Sequence, residues 1–553
     1  MTAQVQSLPN DIDFNARLSA AGHHIREPLS LSTTDAITIR SSSRPLVNNN
    51  NVNHSPNDVF VSPVGTRNFS LGLPSPPPER SDESLPVIHS GSVDFLLRSG
   101  IANASLAAAA GQPDAEAAFF VADLGHVYRQ HLRWQKALPN VTPFYAVKAN
   151  PDPVVLRLLS ALGTGFDCAS MNEINMVAEL DVDPSRVIFA NPCKPTSFVK
   201  HAARMGVDMT TFDNVDELVK IARVHPGAKL VLRILTDDSK SLCRLGLKFG
   251  ASLVAVPTLL AKARELGLNV VGVSFHVGSG CFDVCAFADA VARAKRAFEM
   301  GAEAGYAFTL LDVGGGFEGD RFEAAAGVLA EALREHFSEV AGLEVIAEPG
   351  RFYVADAFTL ATNVIARRGP EQSLLELELD EDEGDKEEGE GDPKVMYYLN
   401  DGVYGSFNCI MFDHQTVTPF CLTVGKVPLE EGSGSGGGGI ALVSSTSIGG
   451  QEQSRTMAAA RAKTQGGMKR TTSSLWGPTC DSIDCVLAKV LLPIGLEVGD
   501  WLGFQRMGAY TICAASQFNG FDRTRVVYTV GEEFAVESLL DSSSSSSSSA
   551  MMM

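Results

Sequence analysis

Between residues 140 and 352, eight short runs rich in β-forming residues alternate with segments that have the period of an amphipathic helix. Eight β/α units are the number that closes a TIM-type barrel, with parallel strands inside and helices outside. A doubly wound open sheet is the competing arrangement for the same alternation. The sequence therefore predicts an α/β fold built on a (β/α)8 barrel, with strands at residues 143–150, 164–170, 186–193, 209–214, 229–235, 272–278, 308–316 and 344–351.

The chain on either side of this barrel has a different pattern. After residue 355, alternating runs with turn signals between them predict a C-terminal all-β domain. We expect the barrel to occupy residues 123–356 and the β domain residues 357–540. The N-terminal segment 86–122 is expected to join the β domain, and one of its apolar stretches can add a strand there.

Four segments have compositions that cannot support a packed core. Residues 1–85 are rich in Ser, Asn and Pro, and residues 541–553 form a Ser-rich tail. Residues 371–394 contain eleven acids and one Lys within seventeen positions, and residues 430–472 are rich in Gly and Ser. We expect the first two to be disordered tails and the other two to be disordered insertions in the β domain.

Charge and cysteine content exclude several classes of protein. The chain has 553 residues with 45 Lys and Arg against 65 Asp and Glu, so its net charge of −20 disfavours nucleic acid and anionic membranes as partners. The ten cysteines show neither CxxC pairs nor zinc-site spacing, which predicts reduced thiols and no metal site. Because neither a signal peptide nor a membrane-spanning apolar stretch is recognisable, we expect a cytoplasmic location.

Reactive side chains lie at or just after the C-terminal ends of the predicted strands, where TIM-barrel active sites are built. The packing of a barrel needs bulky branched residues, so burying charges there implies a polar ligand or mutual pairing. These positions hold Lys148, Asp167, Arg233, His276, Gly314, Gly315, Gly316, Glu348 and Arg351.

This combination meets the requirements of pyridoxal phosphate. A Lys can form a Schiff base with the cofactor aldehyde, and a carboxylate can keep the pyridine nitrogen protonated. The backbone N–H groups of a Gly-rich loop and an Arg can bind the phosphate, and His276 can lie against the ring. The loop at 314–319 also matches the GxGxxG pattern of a dinucleotide site, but that interpretation leaves Lys148 and His276 without a role.

A longer set of motifs carries a family resemblance, running over residues 88–540 with two interruptions. In chain order the motifs are PFYAVKAN, FDCAS, ANPCK, LCRLGLKFG, SFHVGSG, DVGGGF, EPGRFYV, NDGVYGSFNCIMFDH, WGPTCDSID, GDWLGFQRMGAYT and FNGF. With these motifs the chain resembles the group IV, barrel-type pyridoxal-phosphate decarboxylases, and among them the eukaryotic members that act on ornithine. The resemblance implies pyridoxal 5'-phosphate as cofactor and decarboxylation of L-ornithine to putrescine and CO2, the first step of polyamine biosynthesis.

The resemblance also implies a role for each site residue. Lys148 carries the Schiff base, Glu348 meets the ring nitrogen, His276 stacks on the ring, and Cys480 protonates the carbon that has lost CO2. The family usually has Tyr where Phe412 stands, so an aromatic wall is kept and one hydroxyl is lost. The cofactor-binding set that it implies is Lys148, Asp167, Arg233, His276, Ser279, Gly314, Gly315, Gly316, Glu348, Pro349, Gly350, Arg351 and Tyr510, and the substrate-binding set is Phe412, Asp413 and Asp481.

In the family, the segment with Cys480 and Asp481 enters the active site of the partner subunit. The resemblance therefore implies a homodimer with shared active sites, in which Lys248 can pair with Asp484 across the interface. Two alternatives remain open. The chain could decarboxylate lysine or another basic amino acid, or it could be a catalytically inactive homologue that binds a regulatory protein partner.

Overall fold

The computed structural model describes residues 86–281, 283–369, 393–429 and 469–549. The predicted N-terminal tail and the centres of both predicted insertions lie outside the described residues. The strands are β1 (Ile88–His89), β2 (Phe119–Asp123), β3 (Thr142–Ala146), β4 (Gly165–Cys168), β5 (Val187–Phe189), β6 (Met209–Phe212), β7 (Lys229–Arg233), β8 (Ser241–Cys243), β9 (Asn269–Ser274), β10 (Ser279–Cys281), β11 (Leu310–Asp312), β12 (Glu344–Ala347), β13 (Phe358–Arg368), β14 (Val395–Leu399), β15 (Pro419–Cys421), β16 (Thr423–Val424), β17 (Val427–Pro428), β18 (Arg470–Trp476), β19 (Cys485–Pro493), β20 (Trp501–Phe504) and β21 (Arg525–Thr529).

Helices surround the barrel and flank the second sheet. The α-helices are α1 (Val93–Ala109), α2 (Leu124–Ala137), α3 (Pro153–Ala161), α4 (Met171–Ala178), α5 (Thr196–Arg204), α6 (Val215–Val224), α7 (Val256–Glu265), α8 (Ala286–Glu303), α9 (Phe322–Phe337), α10 (Arg351–Val354), α11 (Cys409–Phe412) and α12 (Phe534–Ser549). Short 3₁₀ turns lie at Val147–Ala149, Pro184–Arg186, Ala355–Ala357, Ser406–Asn408, Ile512–Ala514 and Phe518–Gly520.

Eight strands close into a parallel barrel, which confirms the predicted fold. Its order is β3, β4, β5, β6, β7, β9, β11 and β12, and β12 pairs with β3. Each predicted strand overlaps one observed strand, although the observed strands end earlier. The reactive residues therefore lie mostly in the turns that follow the strands, at the end of the barrel where TIM-type sites are found.

The barrel interior is divided into an apolar and a polar layer. A separate cluster of buried apolar residues fills the part of the barrel nearer the N-terminal ends of its strands. Its members come from five strands and are Phe144, Ile188, Val231, Leu310 and Ile346. Because side chains alternate along a strand, the residues two positions further on point to the same side. From β7, β11 and β12 these are Arg233, Asp312 and Glu348, so charged groups form the layer above the apolar one.

Local signals in the sequence explain where the barrel helices begin. Helix α3 starts at Pro153, and the Asp152 carboxylate accepts hydrogen bonds from Val154 N and Val155 N. Helices α4 and α6 begin after Ser170 and Asn214, whose side chains accept from backbone N–H groups in the first turn. These caps satisfy helix donors at the end of the barrel that holds the charged layer.

A second, mixed sheet contains strands from both ends of the chain. Its order is β1-β21-β2-β13-β14-β18-β19, and β20 pairs with both β13 and β15. The N-terminal segment contributes β1 and β2, and it also contains the 17-residue helix α1. The loop after β20 returns to the barrel, where Tyr510 N donates to Ala149 O at 2.8 Å. The exact domain boundaries stay a prediction.

Two predicted segments differ from the structure at their edges. Strand β18 begins at Arg470, inside the range 430–472 assigned to the Gly- and Ser-rich insertion, because the sequence RTTSS is a polar strand that pairs with β19. Helix α12 extends to Ser549, inside the predicted tail 541–553, and follows a first part anchored by the buried Val536 and Leu540. Once such a helix is nucleated, each added Ser has only a small unfavourable propensity.

Candidate active site

Lys148 lies in the 3₁₀ turn that directly follows β3. Its Nζ donates a hydrogen bond to Asp167 Oδ2, and the Asp167 side chain is completely buried. Burial acts to lower the pKa of the Lys148 ammonium, but the charges of Asp167 and Glu348 outweigh it and raise that pKa. The amine is therefore held as a cation at a fixed position.

The remaining members of the charged layer lie on or directly after the neighbouring strands β4 and β12 and on β7 and β11. We define the polar layer as Lys148, Asp167, Arg233, Asp312 and Glu348. Strand pairing aligns Asp312 with Ser274 and Ser274 with Arg233, so these positions lie side by side. Asp312 is fully buried and Glu348 is 8% exposed. Burial raises the pKa of both carboxyls, and the Asp312 charge adds to the rise at Glu348.

His276 lies in the turn after β9, two residues beyond the end of the strand. Its Nδ1 accepts a hydrogen bond of 2.9 Å from Gly278 N, which places the remaining ring proton on Nε2. Burial, followed by the charges of Arg233 and Lys148, lowers the pKa of His276 well below its ordinary value. The imidazole is therefore neutral, and it adds no cation to the polar layer.

The turn after β11 contains Gly314, Gly315 and Gly316. Gly314 has a φ of +65°, and a Cβ there would lie 2.0 Å from the carbonyl oxygen of Phe275. Gly316 has a φ of +100° and a Cβ there would lie 2.8 Å from Gly278 O. Only glycine fits this tight turn, because its backbone lies directly against the turn after β9.

Arg351 begins α10 after the turn of Pro349 and Gly350. Ala146 N donates to Pro349 O at 3.1 Å, which joins this turn to the β3 end that carries Lys148. The Arg351 guanidinium donates to Ser279 Oγ at 3.4 Å, and its central carbon lies 5.1 Å from the centre of the Tyr510 ring. Ser279, Arg351 and Tyr510 thus meet beside the Gly-rich turn, as the phosphate-site prediction requires.

Two carboxylates compensate the charge of Arg351. Its Nη2 donates to Asp413 Oδ2, and its Nε lies 3.1 Å from Glu318 Oε1 in an ion pair without hydrogen-bond alignment. Burial acts to lower the pKa of Arg351, but these two carboxylates raise it overall. Asp413, predicted to bind the substrate amine, is therefore next to the predicted phosphate site, and the Cys243 thiol lies 3.7 Å from its Oδ1.

The segment with Cys480 and Asp481 makes other contacts. Cys480 is exposed, and its backbone N–H donates to Asn519 Oδ1 at 3.0 Å. Asp481 Oδ2 accepts a hydrogen bond of 2.6 Å from the Tyr404 hydroxyl. Among the contacts between described residues, none joins Cys480 or Asp481 to the polar layer of the same chain. Phe412, which precedes Asp413 in the sequence, is 71% exposed.

Asp484 anchors this segment from its far end. Its carboxylate accepts from Val403 N at 2.8 Å and from both Thr479 N and Thr479 Oγ1, at 3.0 and 2.6 Å. Asp484 is 1% exposed and already satisfied within its own chain. Its suggested pairing with Lys248, whose Nζ lies over the Phe249 ring at 4.9 Å, stays a prediction.

The sequence analysis did not single out several residues of the site. Asp312 is the last residue of a buried strand. The sequence feature that could have identified it is a charged side chain at an inward-facing position of that strand. Glu318 lies within the Gly-rich motif and reads as a solvated loop residue. Cys243, Tyr404 and Asn519 lie within the quoted motifs but had no predicted role, since only the folded chain brings them to Asp413, Asp481 and Cys480.

The arrangement fits pyridoxal phosphate. The Gly-rich turn packs against the turn after β9 that leads to Ser279, and Arg351 lies beside Ser279, so backbone N–H groups, a hydroxyl and a guanidinium meet where a phosphate can bind. Asp167 Oδ1, Asp312 Oδ2 and Ser274 Oγ are buried without hydrogen-bond partners among the described residues, so the layer has unused polar capacity. Neutral His276 provides an uncharged face for an aromatic ring.

In the described part of the chain, no group of three or more His, Cys, Asp or Glu side chains has an arrangement that could hold a metal ion. Its helices are too short or too polar to cross a membrane. All ten cysteines are free thiols.

Residues 124–355 match the family model described as "Pyridoxal-dependent decarboxylase, pyridoxal binding domain". This match covers the barrel and contains every residue of the polar layer.

Individual relatives extend the similarity over both domains. An ornithine decarboxylase of Schizosaccharomyces pombe is 48% identical over 423 residues, covering 76% of this chain and 85% of the relative. Antizyme inhibitor 2 of Xenopus laevis is 48% identical over 418 residues, covering 75% of this chain and 81% of the relative. The crystal structure of the Paramecium bursaria Chlorella virus arginine decarboxylase bound to agmatine superposes with a TM-score of 0.62 at 32% identity, covering 74% of this chain and 97% of that one.

Proposed function

This chain belongs to the ornithine decarboxylase family of pyridoxal-dependent decarboxylases, and on that premise we propose that it converts L-ornithine to putrescine and CO2 in polyamine biosynthesis. The observation that carries the proposal is the pairing of Lys148 with Asp167 within a layer of charges at the same end of the barrel as the Gly-rich turn. It is a pyridoxal-phosphate-dependent enzyme, because the matched family is defined by that cofactor.

The proposed cofactor site uses residues from five barrel strands and the β20 loop. Pyridoxal phosphate, when bound, supplies an electron sink for the electron pair released as the substrate carboxylate leaves. Lys148 is the residue that would hold its aldehyde carbon, and Asp167 keeps the lysine nitrogen in place. The phosphate would be held by the backbone of the Gly-rich turn with Ser279, Arg351 and Tyr510.

His276 and Glu348 would contact different parts of the cofactor ring. The neutral imidazole of His276 can pack on the ring face. Because it carries no charge, it does not disfavour the protonated form of the ring nitrogen. Glu348, at the end of β12, would accept a hydrogen bond from that nitrogen when its carboxyl is ionised. A carboxylate in this position favours the protonated nitrogen, which is the form that withdraws electrons most strongly.

Substrate recognition is proposed for Asp413 and Asp481. Both are carboxylates, and the distal ammonium of ornithine needs anionic acceptors in a site of limited water access. Asp413 is 6% exposed and pairs with Arg351 beside the proposed phosphate site. Hydrogen bonds from Tyr404 and from the backbone lower the pKa of Asp481, so it stays ionised over a wide pH range. Phe412 would provide an apolar wall for the methylene chain.

We propose that the chain forms a homodimer whose two active sites are shared. Cys480 and Asp481 are exposed on the β domain, and their described contacts are with Tyr404, Asn519 and the local backbone. A partner subunit that accepts this segment would bring the Cys480 thiol to the substrate carbon that has lost CO2, where the thiol delivers a proton. The free thiols also support a reducing compartment, and we place the enzyme in the cytoplasm.

The similarity to antizyme inhibitor 2 supports a second candidate function, that of an inactive regulatory homologue. Here Lys148, Glu348, Arg351, Cys480 and Asp481 are all present, and Lys148 and Glu348 already lie close together in the barrel. A binding role for a regulatory protein is compatible with activity, so it does not compete with the enzyme function.

An assay of CO2 release by the purified full-length chain with pyridoxal phosphate tests the proposal. Ornithine, lysine and arginine should be compared at equal concentrations. We expect the highest kcat/KM with ornithine. Higher kcat/KM with lysine would reassign the substrate, and absence of activity with all three, despite bound cofactor, would favour the inactive homologue.

A further inference from the structure

Asn150 ends the motif PFYAVKAN, and the proposed function gives it no role. It lies two residues after Lys148, and it is only 1% exposed although its side chain is polar. Its Oδ1 accepts a hydrogen bond of 3.1 Å from Asp152 N, and its Nδ2 donates one of 2.9 Å to Gly508 O. Its backbone carbonyl accepts from the Tyr145 hydroxyl at 2.9 Å. Because one end of the amide needs a donor and the other an acceptor, these contacts fix its orientation.

The hydrogen bond to Gly508 joins the barrel to the loop that follows β20. We call residues 505–511 the β20 loop, and this loop carries Tyr510 to the proposed phosphate site. A second hydrogen bond lies beside the first, because Tyr510 N donates to Ala149 O at 2.8 Å. Two consecutive residues after the lysine therefore hold the β20 loop, one through its backbone carbonyl and the other through its side chain.

The β20 loop has a backbone conformation that the chain alone disfavours. Tyr510 has a φ of +56° and Arg506 a φ of +61°, both in the left-handed region that residues with a side chain rarely adopt. Such conformations persist where the surrounding contacts hold them. At Gly508 the loop packs so closely on α10 that a Cβ there would lie 1.8 Å from Val354 O. The hydrogen bonds from the barrel therefore select a conformation that the loop would not favour by itself.

The conformation of Tyr510 decides where its ring lies relative to Arg351. The centre of that ring is 5.1 Å from the guanidinium carbon, and the same guanidinium donates to Ser279 Oγ. Asn150 is two residues from Lys148 along the chain, and the carbonyl that it binds is two residues before Tyr510. One buried amide thus connects the two ends of the proposed site, the amine that would hold the cofactor aldehyde and the phenol beside the phosphate position.

We propose that Asn150 is a positioning residue that sets the spacing between Lys148 and Tyr510, and thereby the affinity of the site for the phosphate end of the cofactor. Its hydrogen bond to the Gly508 carbonyl keeps Tyr510 in the left-handed conformation, with the ring beside Arg351. This inference rests on the proposed function for the roles of Lys148 and Tyr510. The competing explanation is that Asn150 contributes to the stability of the fold alone.

The variant Asn150→Ser separates the two explanations. A serine hydroxyl can still accept from Asp152 N across the same short turn, but it is too short to reach Gly508 O. Tyr528→Phe is the matched control, because the Tyr528 hydroxyl donates a buried hydrogen bond of 2.8 Å to Asp152 Oδ2. That bond joins the second sheet to the same barrel segment and does not involve the β20 loop.

Absorbance titration of the full-length apoprotein with pyridoxal phosphate measures the dissociation constant of each variant. We expect this constant to rise about tenfold in Asn150→Ser and less than about twofold in Tyr528→Phe, while both variants lose similar thermal stability. Circular dichroism of each apoprotein checks that folded protein is titrated. An unchanged dissociation constant in Asn150→Ser, or an equal rise in both variants, would overturn the proposal. An Asn150→Ser chain that does not fold even with saturating cofactor would also overturn it.

A double-mutant cycle with Tyr510→Phe gives a second measurement, which a purely structural role would not affect. If Asn150 acts by placing the Tyr510 hydroxyl, Asn150→Ser should raise the dissociation constant by less than about threefold in the Tyr510→Phe background. Losses that multiply fully would contradict the proposal. Both measurements follow cofactor binding, so an enzyme that binds the cofactor but releases no CO2 would refute the proposed function, while the affinities would still decide the role of Asn150.

Discussion

The Tyr404 hydroxyl donates a hydrogen bond of 2.6 Å to Asp481, and the Tyr404 ring stacks on Phe518 at 4.4 Å. This contact orients the carboxylate next to Cys480 before any partner subunit is present. It is also the main cause of the lowered pKa of Asp481. The β domain therefore presents its reactive segment in a defined conformation.

Removing that hydroxyl should weaken ornithine binding across the neutral pH range. Tyr404→Phe loses the hydrogen bond that orients the Asp481 carboxylate, and the pKa of Asp481 moves back up toward its ordinary value near 4. Because the carboxylate is ionised above pH 5 in both enzymes, we expect KM for ornithine to rise by about 3- to 10-fold with little dependence on pH between 5 and 8. Steady-state kinetics over this range measure this. An unchanged KM would show that Tyr404 does not act through Asp481.

Glu318 should weaken the binding of the cofactor phosphate. Its carboxylate lies 3.1 Å from Arg351, so it competes with an anionic ligand for the same cation. We expect Glu318→Gln to bind pyridoxal phosphate roughly 3- to 10-fold more tightly, which corresponds to about 1 kcal/mol for one partly buried charge. Absorbance titration of the apoprotein measures the dissociation constant.

Asp320→Asn is the matched control for this charge change. Asp320 is on the same loop but exposed, and its substitution should alter the cofactor dissociation constant much less. Weaker binding by Glu318→Gln would mean that Glu318 positions Arg351 instead of competing for it.

Lys148 should be required for the visible absorption of the protein. The wild type with pyridoxal phosphate should be yellow, because Lys148 is the amine held by Asp167 at the site where the cofactor aldehyde would bind. Lys148→Ala should lose that band although its phosphate contacts remain. A protein that stays colourless with added cofactor would end the enzyme assignment, and a Lys148→Ala variant that keeps the wild-type band would move the attachment site elsewhere.

The sequence predicted the barrel well because eight β/α repeats and their helix caps are local signals. It also predicted Lys148, Glu348 and Arg351, since each follows a barrel strand and such turns converge at one end. Contacts between distant segments were not predictable in this way. The pairing of Arg351 with Glu318 and Asp413, and of Asp481 with Tyr404, depends on how loops fold back.

Asp312 shows a different limit of sequence reasoning. Its place two residues after the inward Leu310 could have been derived from strand alternation, but a single acid in DVGGG does not show that buried charges of both signs lie near it. The β18 boundary at Arg470 was missed because a polar strand next to a Gly- and Ser-rich insertion has no apolar alternation.

The central claim is that one subunit supplies Lys148 and the other supplies Cys480 and Asp481 to each active site. Lys148→Ala and Cys480→Ala homodimers should each be nearly inactive, the second because protonation of the substrate carbon slows by roughly 100-fold or more. Their mixing tests the claim most directly, with subunit exchange confirmed by mass measurement. The account predicts heterodimers with one intact site and about a quarter of wild-type activity after random pairing. A mixture that has exchanged subunits but remains as inactive as its components would contradict it, because each site would then be built within one chain.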